Sequence, residues 1–187
     1  AASDVYKRQL HANGATIRQL TQSTLRAPVI GFGPRSKVVG KLAVEAAGGD
    51  FCQGVLISDA PDVTVDRLTM RGHVQGLFLR NPNRWTVRAG SADKINLGVA
   101  SGGPGENSVL VETDGRVDAG EVSFTNFHSR ESGEHGFRVG GQSPITGITF
   151  DNCKASRSGA GNGSGGCGFK ALGPTSIPVS YTHLTLP

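Results

Sequence analysis

One short pattern recurs along this chain and restricts what it can fold into. Gly136-Phe137-Arg138-Val139 is followed by Ile148-Thr149-Phe150-Asp151-Asn152-Cys153. Upstream, Gly54-Val55-Leu56-Ile57 precedes Val63-Thr64-Val65-Asp66-Arg67-Leu68, and Gly76-Leu77-Phe78-Leu79 precedes Trp85-Thr86-Val87. Ser108-Val109-Leu110-Val111 precedes Val122-Ser123-Phe124-Thr125-Asn126-Phe127, and Gly168-Phe169-Lys170-Ala171 opens a further copy. The starting residues stand at 54, 76, 108, 136 and 168, so the intervals are 22, 32, 28 and 32 residues. A unit kept while its spacing varies marks a solenoid whose loops change and whose stacked strands do not.

Each unit reads as three short strands. The apolar residues of the opening segment alternate, as one face of a strand requires. The second segment alternates, breaks for two residues and resumes, which implies a sharp bend. Three strands per turn, with inward residues stacked about 4.8 Å apart, describe a parallel β-helix. Such a coil leaves open edges only at its ends. The expected fold is therefore all-β: a single-stranded parallel β-helix of about five to six rungs, truncated at both ends. Twenty-eight glycines and a single methionine fit neither a helical bundle nor an α/β enzyme. No run of 18 apolar residues offers a membrane span.

Residues 1–9 (AASDVYKRQ) and 178–187 (PVSYTHLTLP) do not fit the repeat and resemble translated adapter sequence. They are read as non-native tails around a parallel β-helix domain at 10–177, and the natural protein is expected to continue in both directions. The formal net charge is +4, without a basic run, so a nucleic-acid footprint is not expected. Cys52, Cys153 and Cys167 lack paired ligand spacing, so no structural metal is expected. Cys153 falls on an inward position and reads as a core residue, and a Cys52–Cys167 disulfide is not expected across that distance along the coil. Two glycine-rich stretches, 31–34 and 161–165, lead into no helix with a phosphate-binding lysine, so no nucleotide cofactor is implied.

The register is weaker before Gly54. Thr16-Ile17-Arg18-Gln19-Leu20 fits the second half of a unit, Val29-Ile30 an opening strand and Leu42 to Ala47 its continuation. After Val87 the third strand is expected to be displaced, to Ile95-Asn96-Leu97. The order of strand, turn, strand, two-residue bend and strand resembles the right-handed parallel β-helices of the pectate-lyase-like superfamily, over roughly residues 12–177. Asn13-Gly14-Ala15-Thr16 is similar to the start of many phage tailspikes and lyases of that kind. Asn126 and Asn152 match the asparagine ladder that such proteins carry at the bend, with Arg67 in the same place earlier. The resemblance implies a right-handed coil, a saccharide groove over the opening strands (PB1), a polysaccharide as partner and an extracellular or virion-associated protein, homotrimeric if it is a tailspike. Calcium-dependent lyases of this superfamily carry acidic clusters on PB1. Here Glu112 stands alone there, so no metal is implied.

Alternation places Leu56, Phe78, Leu110, Arg138 and Lys170 in one outward column and Ser58, Arg80, Glu112, Gly140 and Leu172 in a second. Arg80, Glu112, Arg138 and Lys170 are thus expected to form one charged patch. Glu131, Glu134 and His135 lie on the loop leading into Gly136, with His73 earlier in the same loop column. Three chemistries fit. A lyase needs a base, His135 or Lys170, and a cation such as Arg138 to hold a developing enolate. A hydrolase needs two carboxyl groups, Glu134 with Glu112 or Glu131. A non-catalytic tail or surface module needs only hydrogen bonds and a stacking ring, which Phe78 supplies. The candidates are therefore Glu134, His135, Arg138 and Lys170 for catalysis, and Arg80, Glu112 and Phe78 for substrate.

Overall fold

The structure, a computed structural model, describes residues 9–20, 28–46, 53–95, 107–115, 119–160 and 166–173. In chain order its strands are β1 (Gln9–His11), β2 (Ala15–Gln19), β3 (Pro28–Gly31), β4 (Lys37–Ala46), β5 (Gln53–Ser58), β6 (Thr64–Arg71), β7 (Gln75–Arg80) and β8 (Asn83–Val87). There follow β9 (Gly90–Ile95), β10 (Val109–Thr113), β11 (Ala119–Thr125), β12 (Phe127–Ser132), β13 (Phe137–Gly141), β14 (Ile145–Asp151), β15 (Lys154–Ser156) and β16 (Phe169–Ala171). No helix occurs among the described residues.

The strands form two all-parallel sheets. One has six strands in the order β16-β13-β10-β7-β5-β3, and the other has ten. The chain passes between the sheets in every coil, and successive coils pair strand on strand. This is a parallel β-helix. The six-stranded sheet is built from the opening strand of the repeat. Val55 pairs with Leu77, Leu77 with Val109, Val109 with Phe137, and Phe137 with Phe169. The first four are fully buried, and Phe169, on the last described rung, is half-buried. The weaker N-terminal segment adds a sixth member, with Ile30 opposite Val55. Glycine begins most rungs because coils approach closely there. A Cβ on Gly76 would lie 2.3 Å from the Ser108 carbonyl oxygen, and one on Gly136 2.7 Å from that of Gly168.

The ten-stranded sheet holds the second and third strands of each unit. In β4 and β6 these are one continuous strand. Later they separate at the bend, so that β6 pairs with both β8 and β9. The third strand, expected at Ile95-Asn96-Leu97, lies earlier among the described residues. The strand starts at Gly90, directly after the bend, and Asn96 and Leu97 lie outside the described residues. Its first residues are small because the neighbouring coils fill the space. A Cβ on Gly90 would lie 1.9 Å from the Leu68 oxygen and 3.0 Å from the Phe127 ring.

At the bend, Asn126 and Asn152 both adopt the left-handed conformation, with φ of 51° and 48°. Asparagine tolerates it better than most residues. The Asn152 Nδ2 donates to the Asn126 Oδ1 at 2.6 Å, one coil to the next. Asn152→Ala loses this bond and strains the bend. Urea unfolding is expected to show a loss of about 1–2 kcal/mol. An unchanged midpoint would remove the ladder's structural role.

The core is aliphatic toward the N-terminus and aromatic toward the C-terminus. Phe137 and Phe169 stack with centroids 4.6 Å apart and rings 5° from parallel. Phe124 stacks on Phe150 at 5.3 Å, and Phe127 meets Phe124 edge-on at 5.9 Å. Trp85, otherwise buried, donates its indole N–H to the Ala60 carbonyl. Cys153 is buried as expected, and burial pushes its thiol up to about 11. Cys167 is exposed, and Cys52 lies outside the described residues. The non-native tails expected at 1–9 and 178–187 also lie outside, apart from Gln9, which pairs with Lys37.

Several charged side chains on the outer faces are matched from coil to coil. Arg84 pairs with Asp62 at 2.6 Å and Arg88 with Asp66 at 2.7 Å. One outward column of the large sheet alternates in sign at every step. Arg18 stands opposite Glu45, Glu45 opposite Arg71, Arg71 opposite Asp93, and Asp93 opposite Arg130.

Candidate functional site

The outer face of the six-stranded sheet is where sequence and structure place most of the reactive groups. Its first outward column runs from Phe78 to Leu110, Arg138 and Lys170 in register. The apolar end is closely packed, with Phe78 half-buried and Leu110 only 4% exposed. The cationic end stacks Arg138 against Lys170 at one strand spacing, and like charges placed directly opposite repel. Among the described residues neither cation has a carboxylate within ion-pair distance. The second column runs from Ser58 to Arg80, Glu112 and Gly140.

Between these columns lies a cleft of about 420 Å³, within the usual range for a small-molecule site. Arg80, Glu112, Asp114 and Arg138 supply its charges. Leu110, Leu172, Gly140, Gly141, Gly173, Thr113 and Gln142 complete the lining. Gly140 leaves room in the floor, because no side chain stands where Arg80 and Glu112 stand on the coils before it.

The carboxyl groups of the cleft differ in environment. Asp114 is ion-paired with Arg80 at 3.1 Å, and its backbone N–H is held by the Asn81 side chain. Asn81 in turn donates to Asp59 at 2.7 Å, so the turn after β7 is tied to its neighbours on both sides. Glu112 is half-buried and, among the described residues, has no ion-pair partner. Burial raises its pKa above the ordinary glutamate range, Asp114 pushes the same way, and Arg80 and Arg138 oppose. Glu112 lies on β10 and Asp114 directly follows its last residue, Thr113, and both line the cleft. Asp114 is not among the residues expected from the sequence, because it lies beyond the alternating part of the repeat.

The remaining candidates lie elsewhere. Phe78, Glu134, His135 and Lys170 are not among the residues lining the cleft. His135 was expected to face the groove, but alternation along 134–138 sends it inward with Phe137 and Val139. It is 1% exposed. Its Nδ1 accepts the Cys167 backbone N–H at 3.0 Å, and its Nε2 lies 3.1 Å from Glu134 Oε1. Burial depresses its pKa, as do Lys170 and Arg138, against the pull of Glu134. Glu131 is bound to Arg157 and not to a second carboxyl group of the site. His73 is buried, and its Nε2 lies 3.0 Å from the Val44 carbonyl oxygen. Among the described residues no group of three or more His, Cys, Asp or Glu is placed to hold a metal ion. No described helix is long and apolar enough to cross a membrane.

No family model matches the chain, and neither the curated proteins nor the solved structures contain a match to it.

Proposed function

We propose that this β-helix binds an acidic polysaccharide in the cleft over its six-stranded sheet and hydrolyses it with Glu112 and Asp114. One observation carries the reading. The cleft is lined by a half-buried carboxyl group of raised pKa and, just past the end of the same strand, an ion-paired carboxylate. Glycoside hydrolysis uses a pair of carboxyl groups, one as proton donor and one ionised. Glu112 is the proton donor to the glycosidic oxygen. Asp114, held as a carboxylate by Arg80, activates water or attacks the anomeric carbon. The arrangement also agrees with the resemblance of the repeat to pectate-lyase-like β-helices, and that resemblance is part of the proposal.

The acidic character of the substrate follows from Arg138 and Lys170. Two stacked cations with no carboxylate within ion-pair distance among the described residues are relieved by an anion, and the planar arginine fork can pair both oxygens of a uronate or sialate. Arg138→Ala is expected to weaken binding of polygalacturonate or a sialylated glycan by about 1.5–3 kcal/mol, the range for a hydrogen bond to a charged group. Neutral dextran serves as the control. Reducing-end release from the same panel tests hydrolysis. Binding without release by the wild type would make the protein a glycan-binding module. Absence of binding across the panel would remove the cleft as a glycan site.

A further inference from the structure

The corner that leads into the six-stranded sheet carries one buried polar side chain per coil. Gln75, Asn107 and His135 occupy equivalent positions, two residues before the first inward apolar residue, and all three are buried. Cys167 takes this position in the next coil. It is fastened twice to the coil before it. Its N–H is accepted by the His135 ring, and its carbonyl oxygen accepts the Gly136 N–H, each at 3.0 Å.

The ring can hold Cys167 only when Nδ1 is unprotonated. A neutral imidazole with its proton on Nε2 leaves Nδ1 free to accept from Cys167, while Nε2 lies near Glu134 without a well-aligned hydrogen bond. A second proton on Nδ1 would set N–H against N–H and end the bond to the backbone. The fastened segment is the one that carries Lys170 and then Leu172 and Gly173, which form one wall of the cleft. We propose that His135 is a pH-sensitive clasp that fastens the coil beginning near Cys167 and loosens that wall of the cleft on protonation.

The charges around the ring come from three elements. Glu134, in the same turn, favours the protonated form, while Arg138 on β13 and Lys170 on β16 oppose it. The positions on β12 and β15 nearest the adjoining Gly136, Ser129 and Ala155, are uncharged, and Glu131 is ion-paired with Arg157. Burial, the largest influence, also opposes protonation, so the folded pKa lies below the ordinary value of 6.5. The clasp therefore contributes fully above that value. Its contribution is lost as pH falls from there through the lower folded pKa.

Only the consequence for a ligand rests on the glycan reading of the cleft, and the experiment separates the two. Hydrogen exchange of the full chain is measured from about pH 7.5 to about pH 5, with exchange times corrected for the intrinsic pH effect. Protection at 166–173 is expected to fall several-fold in the wild type and to stay level in His135→Asn. Asparagine cannot take the proton, and the fold already admits it at this position as Asn107, whose side chain makes no hydrogen bond there among the described residues. His128→Asn, altering a ring bonded to Ser156, is expected to behave as the wild type. An equal decline in wild type and His135→Asn would overturn the clasp. Should His135→Asn fail to fold, nitrogen chemical shifts of the wild-type ring decide the matter, since a proton on Nδ1 at neutral pH would also overturn it. Polygalacturonate binding is followed over the same range. If exchange behaves as expected and no binding occurs at any pH, the clasp stands and the glycan reading falls.

Discussion

Glu112→Gln is expected to lower the rate of glycan cleavage by about 10²–10⁴-fold, the range for loss of a general acid, while binding is retained. The substitution removes the transferable proton and keeps the shape of the side chain. It also removes the group whose pKa burial raises. The alkaline limb of the wild-type pH profile should therefore lie above the ordinary glutamate range, because activity requires the protonated form and is lost as pH rises through that pKa. Asp114→Asn should cost a similar factor and also release Arg80 from its ion pair. Measuring kcat and Kd separately distinguishes the roles. A fall in binding with an unchanged cleavage rate would make Glu112 a binding group and leave the acid elsewhere.

Phe137→Ala is expected to destabilise the fold by about 3–5 kcal/mol, as for other buried phenylalanines. Phe137 is 1% exposed, and its ring touches those of Phe124, Phe127, Phe150 and Phe169. A backbone pinned by hydrogen bonds to the coils above and below cannot collapse into the space left behind. Since domains of this size are stable by about 5–15 kcal/mol, the loss is a large share of the total. It should appear as a lower urea midpoint with little change in slope. A loss below about 1 kcal/mol would mean that the aromatic group repacks freely, contrary to the close packing of protein interiors.

The parts of the fold legible in the sequence were those governed by alternation. Val55, Leu77, Val109 and Phe137 could be aligned because a strand sends every second side chain inward, and the coil repeats that choice. The bend was legible through Asn126 and Asn152, which suit a positive φ. Strand β9 was misplaced because Gly90, Ser91 and Ala92 offer little apolar signal, and their smallness comes from neighbours in other coils. The same limit applied to the site. Arg80, Glu112 and Arg138 were placed together by register alone. His135 was read as a loop residue free to turn outward, although the parity of Phe137 already committed it to the interior. Asp114 was not legible because it lies just past the strand, where alternation no longer applies.

The alternating column from Arg18 through Glu45, Arg71 and Asp93 to Arg130 restricts how such a coil can change length. Solenoids lengthen and shorten by whole repeats. Excising the coil that carries Arg71 would bring Glu45 beside Asp93, and like charges directly opposite are unfavourable. Excising the coils of both Arg71 and Asp93 would bring Glu45 beside Arg130, which restores attraction. Duplication obeys the same parity. Repeats in this part of the molecule are therefore exchangeable in twos, and the natural module for lengthening or shortening it is the pair of coils.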